Sequence, residues 1–168
     1  MKIRLLLLAL LLVSCGKTDT SKDVAQIAEL VTSLHRGLTR AYNEGGINTD
    51  SLIDAYFEKD IQYVAPWGWT EPIDSTKSRL RSAVNHVKDY SARVEALDVK
   101  TFGSGAYAFF ILRQNTSVDG MLLEEYLPTT FVFERRASGW KIVHAHRSTD
   151  YQTFEQWIAI QKKKSGIQ

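Results

Sequence analysis

The chain has 168 residues, 44% of them hydrophobic and 24% charged, with 3 Pro and 10 Gly. That length suits one domain with its own core, and the composition excludes a disordered tail, a collagen-like chain and a polytopic membrane protein. The formal charge is +2, but taking Lys2 and Arg4 from the 21 basic side chains leaves 19 against 19 acidic ones from Cys15 onward. No basic surplus remains for gripping nucleic acid.

A short basic start, Met1-Lys2-Ile3-Arg4, leads into an apolar run from Leu5 to Val13. The run is too short for a hydrocarbon core, which needs ~20 residues, but suits a secretory signal. It ends in Leu12-Val13-Ser14-Cys15, which resembles the lipobox of bacterial lipoproteins. The resemblance implies a signal peptide over 1–14, a diacylglyceryl thioether on Cys15 and a place in the bacterial cell envelope. Residue 16 is Gly rather than Asp, which points to the outer membrane. Cys15 is the single Cys, so its acylation leaves no thiol for a disulfide, a nucleophile or a metal. Residues 15–22 read as the lipidated Cys and a polar tether.

From Asp23 to Tyr42, the positions Ile27, Leu30, Val31, Leu34, Leu38 and Tyr42 make one helical stripe, ended by Gly45-Gly46. Asn48-Thr49-Asp50 caps a second helix carrying Leu52, Ile53, Tyr56 and Phe57. Asp60 to Ala65 reads as a strand, stopped by Pro66 and followed by an aromatic loop with Trp67 and Trp69. A third helix carries Leu80, Ala83, Val84 and Val87. The period then falls to two. Strands are expected over Arg93–Phe102, Ala106–Thr116, Met121–Glu134 and Trp140–Ser148, with turns at Gly103-Ser104-Gly105, Asp119-Gly120 and Ala137-Ser138-Gly139. Pro128 marks an expected bulge or bend.

Short hairpins make the four strands antiparallel neighbours, and three N-terminal helices on one face define an α+β fold. A curved sheet covered on that face leaves a cone-shaped cavity. The segment 151–168 is expected to be a helical extension in which Tyr151 to Lys164 turns Phe154, Trp157, Ile158 and Ile160 toward the domain or a partner chain, the alternative being a frayed solvated tail.

The closing hairpin carries a resemblance. Phe131-Val132-Phe133-Glu134-Arg135-Arg136, a turn and Trp140-Lys141-Ile142-Val143-His144-Ala145-His146-Arg147-Ser148 are similar to the last strands of the nuclear transport factor 2-like superfamily, in its SnoaL-like branch. They also resemble the association domain of calcium/calmodulin-dependent protein kinase. The resemblance spans roughly 25–148 and implies a cone-shaped, cystatin-like fold over 23–150, a side pocket and a homodimer formed through the sheet.

Arg113 is one cation on the Tyr107, Phe109, Ile111 face, the pattern of a buried anion site. In the kinase association domain the matching strand places an Arg in the pocket. A second pocket Arg of that family falls at Phe131, and Arg147 stands as its replacement from the adjacent strand. The competing reading pairs Arg113 with Glu124 or Glu125 across the hairpin. Phe109, Arg113, Phe131 and His146 are expected to converge on one cavity. Tyr63, Trp67, Trp69, Tyr126 and Arg147 complete the pocket.

His144 and His146 share a strand face, but no third ligand accompanies them, so neither a metal nor a cofactor is expected. Three functions follow. The first is an envelope protein whose cone binds a small acidic or partly apolar ligand. The second is an isomerase, cyclase or hydrolase using His146, Asp60 or Tyr63 for proton transfer. The third is a dimeric scaffold without a ligand. The fold alone does not choose among them.

Overall fold

The computed structural model describes residues 20–118 and 120–165. The expected signal peptide, Cys15 and Asp119 of the expected turn lie outside these residues. In chain order the elements are α1 (Thr20–Glu44), α2 (Thr49–Tyr56), β1 (Phe57–Val64), β2 (Thr70–Glu71), α3 (Ile73–Ala83) and β3 (Val87–Phe102). There follow β4 (Gly105–Val118), β5 (Met121–Arg136), β6 (Gly139–Arg147) and α4 (Tyr151–Ser165). Helix α1 already begins at Thr20, so the last residues of the expected tether are helical.

The sheet has six strands in the order β2-β1-β6-β5-β4-β3. Its hairpin pairs are antiparallel, as expected, but β1 lies parallel to β6, so the sheet is mixed. Parallel neighbours need a long crossover, and the chain from β2 through β5 supplies one. Two left-handed residues in β3, Asp89 (φ 52) and Ala96 (φ 51), coincide with its register shifts against β4. Extra residues of this kind bend and twist a strand, which curves the sheet. Strand β3 begins at Val87, where the third helix was expected to continue. Pro128 makes no bulge: it pairs with Ile111 in an unbroken β4–β5 register, one residue past the last β5–β6 partner, Thr129.

The stripe on α1 packs as its spacing requires. Ile27, Val31 and Leu34 are fully buried with Leu38 beside them, in one cluster with Ala106, Ala108, Phe110 and Leu112 of β4 and Phe131 and Phe133 of β5. Each such aliphatic side chain contributes about 1.5–3 kcal/mol by leaving water. His35, on the same stripe, packs edge-on against Phe110 at 5.4 Å and parallel to Phe131 at 6.3 Å between ring centroids. At the helix end, the Asn43 side chain accepts from the Tyr90 N–H at 3.0 Å and donates to its carbonyl at 2.7 Å, fixing α1 to β3. Helices on one face and a bent sheet beneath leave the cone open at the end where β1, β4 and β6 carry their last inward residues and β5 its first.

Candidate functional site

Strand alternation decides what lines the cone. On β4 the buried set is Ala106, Ala108, Phe110, Leu112 and Thr116, with Gln114 on the same face. On β5 it is Leu123, Leu127, Thr129, Phe131 and Phe133, with Glu125 among them. Polar side chains therefore interrupt both apolar rows at the open end.

Strand β6 departs from simple alternation. Ile142 pairs with Phe133 and His144 with Val132, so Val143 is an extra residue in a bulge. Trp140 and Ile142 face inward before the bulge, and Ala145 and Arg147 after it. The bulge thus turns His144 and His146 outward and Arg147 inward.

Two neighbouring spaces result. A narrow void of about 50 Å³ lies deep in the cone against Leu34, Ile61, Leu80 and Phe131. A chamber of about 270 Å³ lies outside it, walled by Trp67, Leu123, Leu127 and Trp157. Tyr63, Arg79 and Arg147 line both, so these three side chains form the waist where the two spaces adjoin.

The two arginines differ in their partners. Arg79 of α3 is bonded to Glu71 at 2.5 Å, and Thr76 donates to the same carboxylate oxygen at 2.7 Å. Burial works to raise the Glu71 carboxyl, but these hydrogen bonds and the Arg79 charge hold it below the usual range. Arg147 makes no salt bridge among the described residues, and its Nε is a buried donor without a partner. Its Nη2 lies 3.4 Å from His35 Nε2.

The His35 tautomer follows from its other nitrogen. Nδ1 lies 2.8 Å from the Val31 carbonyl, which can only accept, so Nδ1 carries the proton and Nε2 presents a lone pair to Arg147. Burial first, then the Arg147 charge, push this imidazole down to about 3, against the Val31 hydrogen bond that raises it. His35 stays neutral and adds no charge to the waist.

The nearest acid to Arg147 in the chamber is Glu125. Tyr90 donates to Gln114 Oε1 at 2.9 Å, which orients the amide so that Gln114 Nε2 donates to Glu125. Burial raises the Glu125 carboxyl above its ordinary value, although Gln114, Arg147 and Arg79 all pull the other way. This carboxyl is held by Gln114 and forms no salt bridge with Arg147 among the described residues. The waist is therefore a cationic site with one buried N–H unmatched, and a small anion fits that deficit.

Several expected pocket residues lie elsewhere. Phe109, Arg113, Tyr126 and His146 stand on the outer face of the sheet and do not converge with Phe131. Both faces of β4 are apolar, so alternation alone does not say which is inner. The Ala106–Leu112 row takes the inside because it packs against α1. Arg113 donates to Glu95 at 2.9 Å, across the β3–β4 ladder rather than to Glu124 or Glu125, and stacks over the Tyr126 ring at 4.8 Å. Half of its side chain is exposed (51%). It borders an open groove of about 520 Å³, but an exposed, neutralised guanidinium holds an anion weakly. Asp60 is exposed on β1, outside the cone, so neither His146 nor Asp60 can serve a proton transfer there. Tyr63, Trp67, Trp69, Phe131 and Arg147 do line the interior.

Among the interior polar residues, His35, Arg79, Gln114 and Glu125 were not placed in the pocket by the sequence reading. A polar residue on the α1 stripe was a usable signal for His35. Gln114 and Glu125 carried a similar one, as polar steps in apolar alternation. Arg79 had none. No group of three or more metal-capable side chains occurs among the described residues.

Comparison with known proteins agrees with this architecture. The model of the SnoaL-like domain matches residues 31–152. A candidate dehydratase of the NTF2-like family from Streptomyces avermitilis is 16% identical, with a TM-score of 0.65 over 77% of this chain and 97% of its own. An NTF2-like superfamily protein from Salmonella enterica is 16% identical, with a TM-score of 0.66 over 79% and 94%. The association domain of the C. elegans kinase CaMKII is 13% identical, with a TM-score of 0.60 over 77% and 98%. At such identities these structures establish the fold. No curated protein sequence matches the chain.

Proposed function

The chain belongs to the SnoaL-like domain family, and on that footing we propose that its cone binds a small carboxylate with a partly apolar body. The observation that carries this reading is Arg147: a guanidinium at the waist of the cone, with no salt bridge among the described residues and a buried donor unmatched. The chamber it faces is apolar at its outer end, which suits a ligand charged at one end only. Titrating the purified protein with acetate, benzoate and their amides, read by melting temperature, tests the reading. A ligand that binds the native state raises the transition, and only the acids are expected to do so.

The location is part of the same proposal. Acylation at Cys15 would hold the protein on a membrane of the bacterial envelope, where two or more acyl chains give stable anchoring at ~0.8 kcal/mol per buried methylene. The protein should then take up labelled palmitate and sediment with membranes, and Cys15→Ser should lose both. Label in the Cys15→Ser protein would refute the anchor.

A homodimer through the outer sheet face completes the proposal. Phe109 is 39% exposed at the middle of β4, a large apolar side chain set on the face opposite the cone. One neighbour is by name an association domain. Sedimentation should report a dimer that Phe109→Glu converts to a monomer, because a carboxylate would have to be buried unpaired. An unchanged mass would exclude this face as the interface.

A further inference from the structure

The family match ends at residue 152, and nearly all of α4 lies beyond it. That helix walls the chamber. Its first turn is tied to β5: Thr153, 2% exposed, donates through Oγ1 to the Glu124 carbonyl at 3.3 Å and accepts from the Tyr126 N–H at 3.4 Å. Gln156 Oε1 accepts from the Glu124 N–H at 3.1 Å. The next turn places Trp157 on Trp67, ring centroids 4.7 Å apart and planes 30° apart, with Phe154 6.0 Å from Trp67. Ile160, 5% exposed, and Gln161 extend the same wall.

The chamber thus has two origins. Its polar end, Tyr63, Arg79, Gln114, Glu125 and Arg147, comes from the family domain, while Trp157, Ile160 and Gln161 come from the added helix. An anion would be held by the first set. How large a body it carries is decided by the second. Its volume of about 270 Å³ lies just below the usual ~300–1,000 Å³ of small-molecule sites. One ring with a carboxylate fits that space. A second fused ring would extend along the apolar end, against Trp67 and Trp157.

We propose that α4 is the specificity-determining wall of the cone, with Trp157 and Ile160 limiting the ligand to an acid of single-ring size. The inference rests on the reading that an anion sits at Arg147, and adds size selection by an element outside the family domain. It requires no motion of the helix as a whole. Replacing the indole by a methyl group opens the chamber at its apolar end and leaves the arginines untouched.

The test compares the dissociation constants of benzoate and 2-naphthoate for the purified protein and for Trp157→Ala and Trp157→Phe. The native protein should favour benzoate by about tenfold or more, the scale on which a pocket wall discriminates bulk. Trp157→Ala should bring the ratio to one or invert it, and Trp157→Phe should keep most of the preference. If Trp157→Ala loses its cooperative melt, Ile160→Ala thins the same wall and is judged by the same ratio. An unchanged ratio in a folded variant that still binds benzoate would overturn the size-selection proposal and leave the Arg147 reading standing. Equal binding of both acids by the native protein would do the same. Failure of both acids to bind either protein would overturn the proposal together with the reading beneath it.

Discussion

Arg147→Ala is expected to weaken benzoate binding by about thirtyfold or more, the equivalent of about 2 kcal/mol, the low end for truncating one partner of a buried charged pair. The effect is large because few other groups at the waist can replace the lost charge. Arg79 is already engaged by Glu71, and His35 is held neutral. The same substitution should not weaken the fold in proportion. Arg147 contributes a single 3.4 Å contact to His35 and otherwise leaves a buried donor unmatched, an arrangement that costs free energy in the empty protein. Loss of binding without a matching fall in melting temperature is the expected signature. Arg113→Ala provides the control: it removes an exposed ion pair on the outer face and should leave benzoate affinity unchanged. Isothermal calorimetry for affinity and a thermal melt for stability test this on the three proteins, and equal affinities for native and Arg147→Ala protein would refute the assignment.

The second large effect is acid lability caused by His35. Its imidazole titrates near 3 in the folded protein and at about 6.5 when the chain unfolds. The depressed group favours the folded state fully only above pH 6.5. As pH falls from 6.5 toward 3, the unfolded chain takes up a proton that the folded one refuses, and stability is lost. Between pH 7 and pH 4 this amounts to a loss on the order of 3 kcal/mol from one residue. Denaturant unfolding of the native protein and of His35→Gln at both pH values isolates the contribution, because carboxylates titrating elsewhere act on both proteins alike. The variant is expected to be less stable at pH 7 and to lose less on acidification. Parallel losses in the two proteins would show that His35 is not the proton acceptor.

Most of the fold was legible in the residues because two periods are strongly expressed. The α1 stripe and the hairpin turns around Gly103 and Gly139 specify a helix over consecutive antiparallel strands, and the closing strand beginning at Trp140 points to the superfamily. The parallel β1–β6 pairing was not legible, since nothing local in Phe57–Val64 records which distant strand it joins. The site was only partly legible, for a reason that can be named. A side chain's face is set by counting residues in twos, and one inserted residue reverses the count. Without the bulge at Val143, His144 and His146 would share a face with Trp140 and Ile142, and Arg147 would point outward. On β4 the obstacle was different: Tyr107, Phe109 and Ile111 are as apolar as the row that is buried. Helix α1 decides between the faces, and its packing is a tertiary fact.

The most direct measurement is a titration of isotopically labelled protein with benzoate, following the arginine Nε–H signals by nuclear magnetic resonance. A saturating shift of the Arg147 signal at one ligand per chain, with Arg113 unmoved, is the predicted result. A moving Arg113 signal beside a stationary Arg147 would place the anion on the outer face and contradict a ligand held inside the cone.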